Sequence, residues 1–305
     1  MSRIRLGTRG SRLALAQSRW VEAQLRRAHP DLTVELVTIK TTGDRFADQP
    51  LSTIGGKGVF VKEIEEALTE GRIDCAVHSM KDVPSELASG LVIAAVPPRE
   101  DPRDVLISGQ GGLAELARGA RVGTSSLRRM ALVRALRQDL TVRELRGNVD
   151  TRLRKLDAGE LDALVLASAG LRRLGIERVD SEVLSPRHFV PAIGQGALAV
   201  ESRADDTVEV VRALDDPPTH AAVSAERAFL QRVGGSCRTP LAAHAVVGGD
   251  HVQIDALIAS PDGTRVIRGE RSGRASDGVA LGTDLADELL GRGGAAILQA
   301  LAEGA

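Results

Sequence analysis

Apolar positions along this chain alternate between short runs and longer stretches of helical spacing, and that alternation predicts most of the elements. Residues 3–8 read as a strand, and Gly7-Thr8-Arg9-Gly10-Ser11 turns it into a helix. Ala14, Val21, Leu25 and Ala28 share one face of that helix, which Pro30 ends. A second strand is predicted over Thr33 to Ile39, followed by a polar, glycine-containing loop over 41–56 that reads as mobile. Gly55-Gly56-Lys57-Gly58 opens the next helix, with Phe60, Ile64, Ala67 and Leu68 facing inward and Gly71 ending it. Those glycines lack Walker spacing, so the loop is a helix entrance and not a nucleotide site. Ile73-Asp74-Cys75-Ala76-Val77 reads as a short buried strand, and Leu91 to Val96 as another. Strands alternating with helices predict a mostly parallel sheet.

The stiff, charged run Pro97-Pro98-Arg99-Glu100-Asp101-Pro102-Arg103-Asp104 marks a domain boundary. Beyond it Val122 to Arg129 leaves a strand and opens a helix, with Ser125 or Ser126 as its cap. Strands over Leu140 to Leu145 and Leu161 to Ala167 flank a helix over 149–158. Gly7-Thr8-Arg9-Gly10-Ser11 and Gly123-Thr124-Ser125-Ser126 share the form strand-Gly-Thr-x-x-helix, one in each half. This suggests two similar domains facing each other across a cleft, each aiming a helix N-terminus at an anion. A second crossing is expected from Pro186 to Gly196, with Ala197 to Glu201 returning to the first sheet. After Asp215-Asp216-Pro217-Pro218 come a helix over Thr219 to Val233, strands near 241–247, 252–258 and 264–269, and a helix over 279–302. The expected architecture is α/β, with domain 1 over 1–97 and 197–215, domain 2 over 102–190, and a smaller α+β domain 3 over 218–305.

Composition narrows the class. With 305 residues, 43% hydrophobic and 27% charged, the chain reads as a soluble globular protein, and no apolar run approaches the length of a membrane span. The net charge of −1 gives no global pull toward nucleic acid, and 2% aromatics leave few stacking platforms. The residues Met1 to Arg5 show no apolar signal core, and two cysteines make no disulfide framework, so a cytoplasmic location is expected. No Cys/His cluster has metal spacing.

Charge is concentrated locally. From Arg121 to Lys155 ten basic residues stand against three acidic ones. Arg128, Arg129, Arg146 and Arg152 fall at strand ends or helix starts where they can converge, and guanidinium forks suit carboxylates or phosphates. Arg134, Arg137 and Arg143 read as a solvated helix face or loop. The inferred ligand is a small molecule bearing several carboxylates. Lys81-Asp82 follows a strand's carboxyl end, where α/β sheets place ligands, with Pro84 close behind. Alone it is more simply a solvated turn with an incidental ion pair. Cys237, after Gly234-Gly235-Ser236, is placed to present a thiol to a ligand, whereas Cys75 inside an apolar strand is core.

These residues coincide with a known pattern. The segments GTRGSRLALAQ (7–17), GGKGVFVKEIE (55–65), AVHSMKDVP (76–84), REDPRD (99–104), VGTSSLRR (122–129), LRGNVDTRL (145–153), PAIGQGA (191–197) and GGSC (234–237) make the chain resemble the porphobilinogen deaminases, also called hydroxymethylbilane synthases. The resemblance covers nearly the whole chain and is strongest over 1–240. It implies three domains, the first two akin to two-lobed periplasmic binding proteins. It also implies a dipyrromethane cofactor in thioether linkage to Cys237. Four porphobilinogens would be deaminated and joined on that primer, and hydroxymethylbilane released for heme biosynthesis. By the same resemblance Asp82 is the catalytic aspartate. Arg9, Ser11, Gln17, Arg146 and Arg173 meet substrate or the growing chain, and Lys81, Thr124, Ser126, Arg128, Arg129 and Arg152 surround the cofactor. Ser236 departs from the glycine many members carry beside the cysteine, and Thr53 from a lysine some carry before the glycine loop.

The competing class is a two-lobed binding protein for a small polycarboxylate. It explains the crossings and the arginines, but a carboxylate such as Asp82 repels an anionic ligand, and domain 3 and Cys237 are left idle. A nucleic-acid regulator ranks third, because no reading motif or basic tail is present. No membrane partner is expected, and nothing demands more than a monomer.

Overall fold

The computed structural model describes residues 2–45, 61–235 and 239–303. Strand β1 (Arg3–Arg9) leads into helix α1 (Arg12–Ala28) and β2 (Thr33–Ile39). A single helical turn α2 (Thr42–Arg45) and helix α3 (Lys62–Thr69) precede β3 (Cys75–Ser79) and β4 (Leu91–Ala95). The middle of the chain adds β5 (Asp104–Ile107), β6 (Arg121–Gly123), α4 (Leu127–Leu136), β7 (Thr141–Arg143), α5 (Val149–Asp157), β8 (Ala163–Ala167), α6 (Ser168–Arg173) and β9 (Ser181–Val183). Then come β10 (Leu198–Arg203), α7 (Thr207–Val211), α8 (Pro217–Val233), β11 (Leu241–Gly248), β12 (His251–Ala259), β13 (Val266–Arg274), α9 (Gly278–Leu289) and α10 (Ala295–Glu303). The chain divides into two compact units, Met1–Glu100 with Gly196–His220, and Asp101–Gln195 with Ala221–Ala305.

The first unit holds a sheet of order β2-β1-β3-β10-β4. β1 runs parallel to β2 and β3, while β10 is antiparallel to β3 and β4. Val21 and Leu25 of α1 cover one face over Ile4, Leu6 and Val77, and Ile64, Ala67 and Leu68 of α3 cover the other over Ile73 and Ala76. A sheet buried on both faces accounts for the continuous apolar runs. The buried face of α1 is Gln17, Ser18, Val21 and Leu25, with Ala28 exposed, so two polar residues occupy part of the expected apolar stripe.

The second unit repeats the plan as β7-β6-β8-β5-β9, again with one antiparallel strand, β5, in fourth place. Thr8 and Thr124 are both fully buried, and Ser11 and Ser126 cap α1 and α4, so the two Gly-Thr stretches hold equivalent places in the two sheets. An antiparallel sheet β11-β12-β13 in the same unit packs Ala243, Ile254 and Ile258 with Phe229 of α8 and Leu285 and Leu289 of α9. Ala242, Leu257 and Ala259 from that sheet join Val122, Leu132, Val165 and Phe189 in one continuous core. The C-terminal helix expected over 279–302 is broken: a π-turn over Leu290–Gly294 separates α9 from α10, and Gly293 sits at φ 106, a left-handed conformation that glycine adopts at little cost. Among the described residues no helix is long and apolar enough to cross a membrane.

Candidate functional site

In the first unit the carboxyl ends of β1 and β3 lie side by side, because the two strands pair in parallel with Gly7 opposite Ala76. Asp82 lies on a single 3-10 turn, Met80–Asp82, directly after β3. The turn is pinned from two sides. Met80 N–H donates to the carbonyl of Ala197 at 3.0 Å, and Gln17 Nε2 donates to Ser79 Oγ at 2.9 Å. Arg9 ends β1, and Ser11 accepts a hydrogen bond from Ala14 N–H to cap α1, so Arg9, Ser11 and Gln17 gather at the edge that carries Asp82. Beneath them His78 Nε2 meets Glu201 Oε2 at 2.9 Å, both side chains buried. Asp82 itself is exposed, and among the described residues it has no hydrogen bond or ion pair; Lys81 is half-buried.

The second unit gathers the arginines. Arg128 and Arg129 open α4, which Ser126 caps by accepting from Arg129 N–H, while the buried Thr124 hydroxyl accepts from Ser126 N–H at 3.2 Å. Both guanidiniums are buried and share one carboxylate, Asp104, at the start of β5. Arg128 donates to both of its oxygens, at 2.8 and 3.1 Å, and Arg129 Nε donates at 2.8 Å. Burial pushes the Asp104 carboxyl upward, but the two cations override it and hold it at about 2. Arg152 donates to Gly147 O at 2.8 Å and Ser125 Oγ at 3.3 Å and has no ion pair among the described residues. Burial lowers its pKa to about 10, with Arg129 and Arg146 adding to the effect. Arg146 is paired to Glu144, Nε to Oε1 at 2.9 Å. Arg173 ends α6, half-buried.

Arg128 and Arg129 thus share one fully buried carboxylate, Arg152 lies near them without a carboxylate among the described residues, and among those residues Arg128 Nε is buried without a partner. This is the donor set a group with several carboxylates requires, so the dipyrromethane that the sequence implies fits here. Its expected attachment point, Cys237, lies outside the described residues, as do Ser236, Thr53, Phe60 and the Gly55–Gly58 loop. Two expected surface arginines are structural instead. Arg134 donates to Pro261 O at 2.7 Å, and Arg137 is half-buried, donating to the carbonyls of Leu113, Ala114 and Leu116. They tie α4 to neighbouring segments whose carbonyls no spacing rule reveals. Asp104, Gln195 and Glu144 were not singled out from the sequence. The available signal for Asp104 was an acid opening the otherwise apolar strand Asp104-Val105-Leu106-Ile107, which needs a buried cation.

Residues 4–210 match the family model described as porphobilinogen deaminase, dipyromethane cofactor binding domain, and residues 220–291 match the porphobilinogen deaminase C-terminal domain. The chain belongs to the porphobilinogen deaminase family. It is 53% identical to the porphobilinogen deaminase of Roseiflexus castenholzii over 97% of this chain and 98% of that one. With that of Trichlorobacter lovleyi it shares 52%, over 97% and 96%. Among solved structures, the BenM effector binding domain with its effector benzoate is a distant neighbour, 16% identical with a TM-score of 0.43, covering 70% of this chain and 88% of that one. The family makes the chain a transferase of tetrapyrrole biosynthesis that carries a dipyrromethane cofactor.

Proposed function

We propose that the chain deaminates porphobilinogen and joins four molecules head to tail on a dipyrromethane primer, releasing hydroxymethylbilane, with Asp82 as the catalytic carboxylate and Cys237 as the thioether attachment. The observation that carries the role of Asp82 is an exposed carboxylate, without a partner among the described residues, on a turn pinned by Ala197 and by Gln17 through Ser79. A carboxylate so placed stabilises the cationic azafulvene left when porphobilinogen loses ammonia, and carries protons between leaving group and pyrrole carbon. When bound, the dipyrromethane supplies the pyrrole end to which substrate is added. Thr124, Ser126, Arg128, Arg129 and Arg152 hold its acetate and propionate groups, with Lys81. Arg9, Ser11, Gln17, Arg146 and Arg173 receive substrate and the growing chain. We assign three domains, 1–97 with 197–215, 102–190 and 218–305; the three sheets and the gap between the two family matches support them. The protein acts as a cytoplasmic monomer.

Asp82→Asn tests the central role. The side chain is exposed and makes no hydrogen bond or ion pair among the described residues, so the variant should unfold at the parent's temperature and show the same primer mass excess. Its turnover should fall roughly a hundredfold or more. Turnover within a few-fold of the parent would remove Asp82 from the chemistry.

A further inference from the structure

Asp104 is bonded more heavily than an incidental ion pair requires. Its Oδ1 accepts from Arg128 Nη2 at 3.1 Å, Arg129 Nε at 2.8 Å and Gln195 Nε2 at 3.2 Å, while Oδ2 accepts from Arg128 Nη1 at 2.8 Å. Gln195, 1% exposed, closes the network: its Oε1 accepts from Arg129 Nη2 at 3.4 Å, and its Nε2 also donates to Pro102 O at 2.6 Å. Carbonyls fill in the rest, Val190 for Arg128 and Val165 for Arg129, and the Phe189 ring centroid lies 5.7 Å from the Arg128 guanidinium carbon.

The bonding divides the two arginines unequally. Arg129 has its Nε/Nη2 edge on Asp104, with further bonds from Nη1 to Val165 and Nη2 to Gln195. Arg128 gives Asp104 its Nη1/Nη2 end, which leaves the Nε edge, and among the described residues Nε–H is buried with no partner. A desolvated donor without an acceptor is costly, and the Nε/Nη2 edge of a guanidinium is one that takes a carboxylate through two parallel bonds. Two adjacent buried cations would also repel each other without the carboxylate between them, and one shared carboxylate still leaves net positive charge for a ligand.

We propose that Asp104 and Gln195 are positioning residues for the cofactor site, fixing Arg128 and Arg129 so that Arg128 presents its Nε edge to a carboxylate of the dipyrromethane. This rests on the reading of Arg128, Arg129 and Arg152 as the cofactor's carboxylate partners. It assigns roles to two side chains that touch neither the cofactor nor the reacting atoms.

The test loads apoprotein, made in cells that supply no porphobilinogen, with graded porphobilinogen and follows the intact mass under denaturing conditions. Gln195→Met removes the amide bonds at nearly constant size and charge. It should raise the porphobilinogen concentration for half-loading about tenfold, as loss of a supporting residue behind a binding group typically does, with the plateau unchanged. Asp104→Asn should raise it further. A merely structural role would lower the plateau or the unfolding temperature at an unchanged half-loading concentration, and that result overturns the proposal. Arg152→Gln is the reference arm. If it loads like the parent, the cofactor reading of the arginines fails. If it is impaired while Gln195→Met loads like the parent, the positioning roles alone fail. Should Asp104→Asn not fold, Gln195→Met decides by itself.

Discussion

Asp82 and Asp104 show what one carboxylate does in two settings. Asp82 is exposed and makes no bond among the described residues, so its removal should cost activity and little stability. Asp104 is fully buried between two guanidiniums and held at about 2 against an ordinary value of 3.8, so its removal should cost stability as well as cofactor loading. A carboxyl whose pKa falls on folding adds stability above its unfolded value, and that contribution is lost as pH drops through the folded one; here it amounts to about 2 kcal/mol. In urea unfolding the parent should therefore exceed Asp104→Asn most near pH 6, with the gap narrowing as pH falls below about 4. A constant gap would mean that Asp104 folds uncharged. Asp82 is legible in sequence only through the AVHSMKDVP segment that carries the family resemblance, because an acid beside a lysine past a strand end reads by itself as a solvated turn. Asp104 is not, because its value depends on Arg128 and Arg129, 24 and 25 residues away in sequence.

At the scale of elements, hydrophobic spacing located β1, α1 and β2 well, since each buries residues against its near neighbours in sequence, and it located β3 by its own continuous apolar run, although β3 pairs with the distant β1 and β10. It missed β5 and β9. β5 is only four residues long and follows a proline-rich run, and β9 is three exposed residues, Ser181–Val183, made a strand by pairing with β5. Such strands are defined by their partner and not by their own pattern. The contact between the β12–β13 turn and α4 is equally silent in sequence. Gly263, at φ 74, approaches α4 so closely that a Cβ would lie 2.6 Å from both Ala131 O and Ala135 N. Gly263→Ala should cost roughly 2–4 kcal/mol, since backbone atoms must shift as well as the left-handed residue being strained. Gly249, at φ 63 with open space around its Cβ position, supplies the control: Gly249→Ala should cost only about 1 kcal/mol. Equal losses in chemical denaturation would show that the turn does not press on α4.

For the whole molecule, a net charge of −1 hides a buried cluster whose positive charge exceeds its own carboxylate. Overall composition could not reveal this; the local excess of basic residues from Arg121 to Lys155 did, though it overcounted, since Arg134 and Arg137 bind carbonyls. A protein built this way should be more stable with its anionic cofactor than without it, because a ligand bound only in the folded state adds its binding energy to folding. Cys237→Ser should fold, show the bare-chain mass, and unfold several degrees below the primer-carrying parent. The deficit should shrink when sulfate or phosphate is added and shrink less with chloride at equal ionic strength, since divalent oxyanions offer the guanidinium forks a partial substitute for carboxylates. The parent, its arginines already engaged, should respond alike to either salt. A Cys237→Ser protein that unfolds with the parent and ignores the anion would place the primer's carboxylates away from Arg128, Arg129 and Arg152, and a primer mass that survives the substitution would move the attachment to another residue.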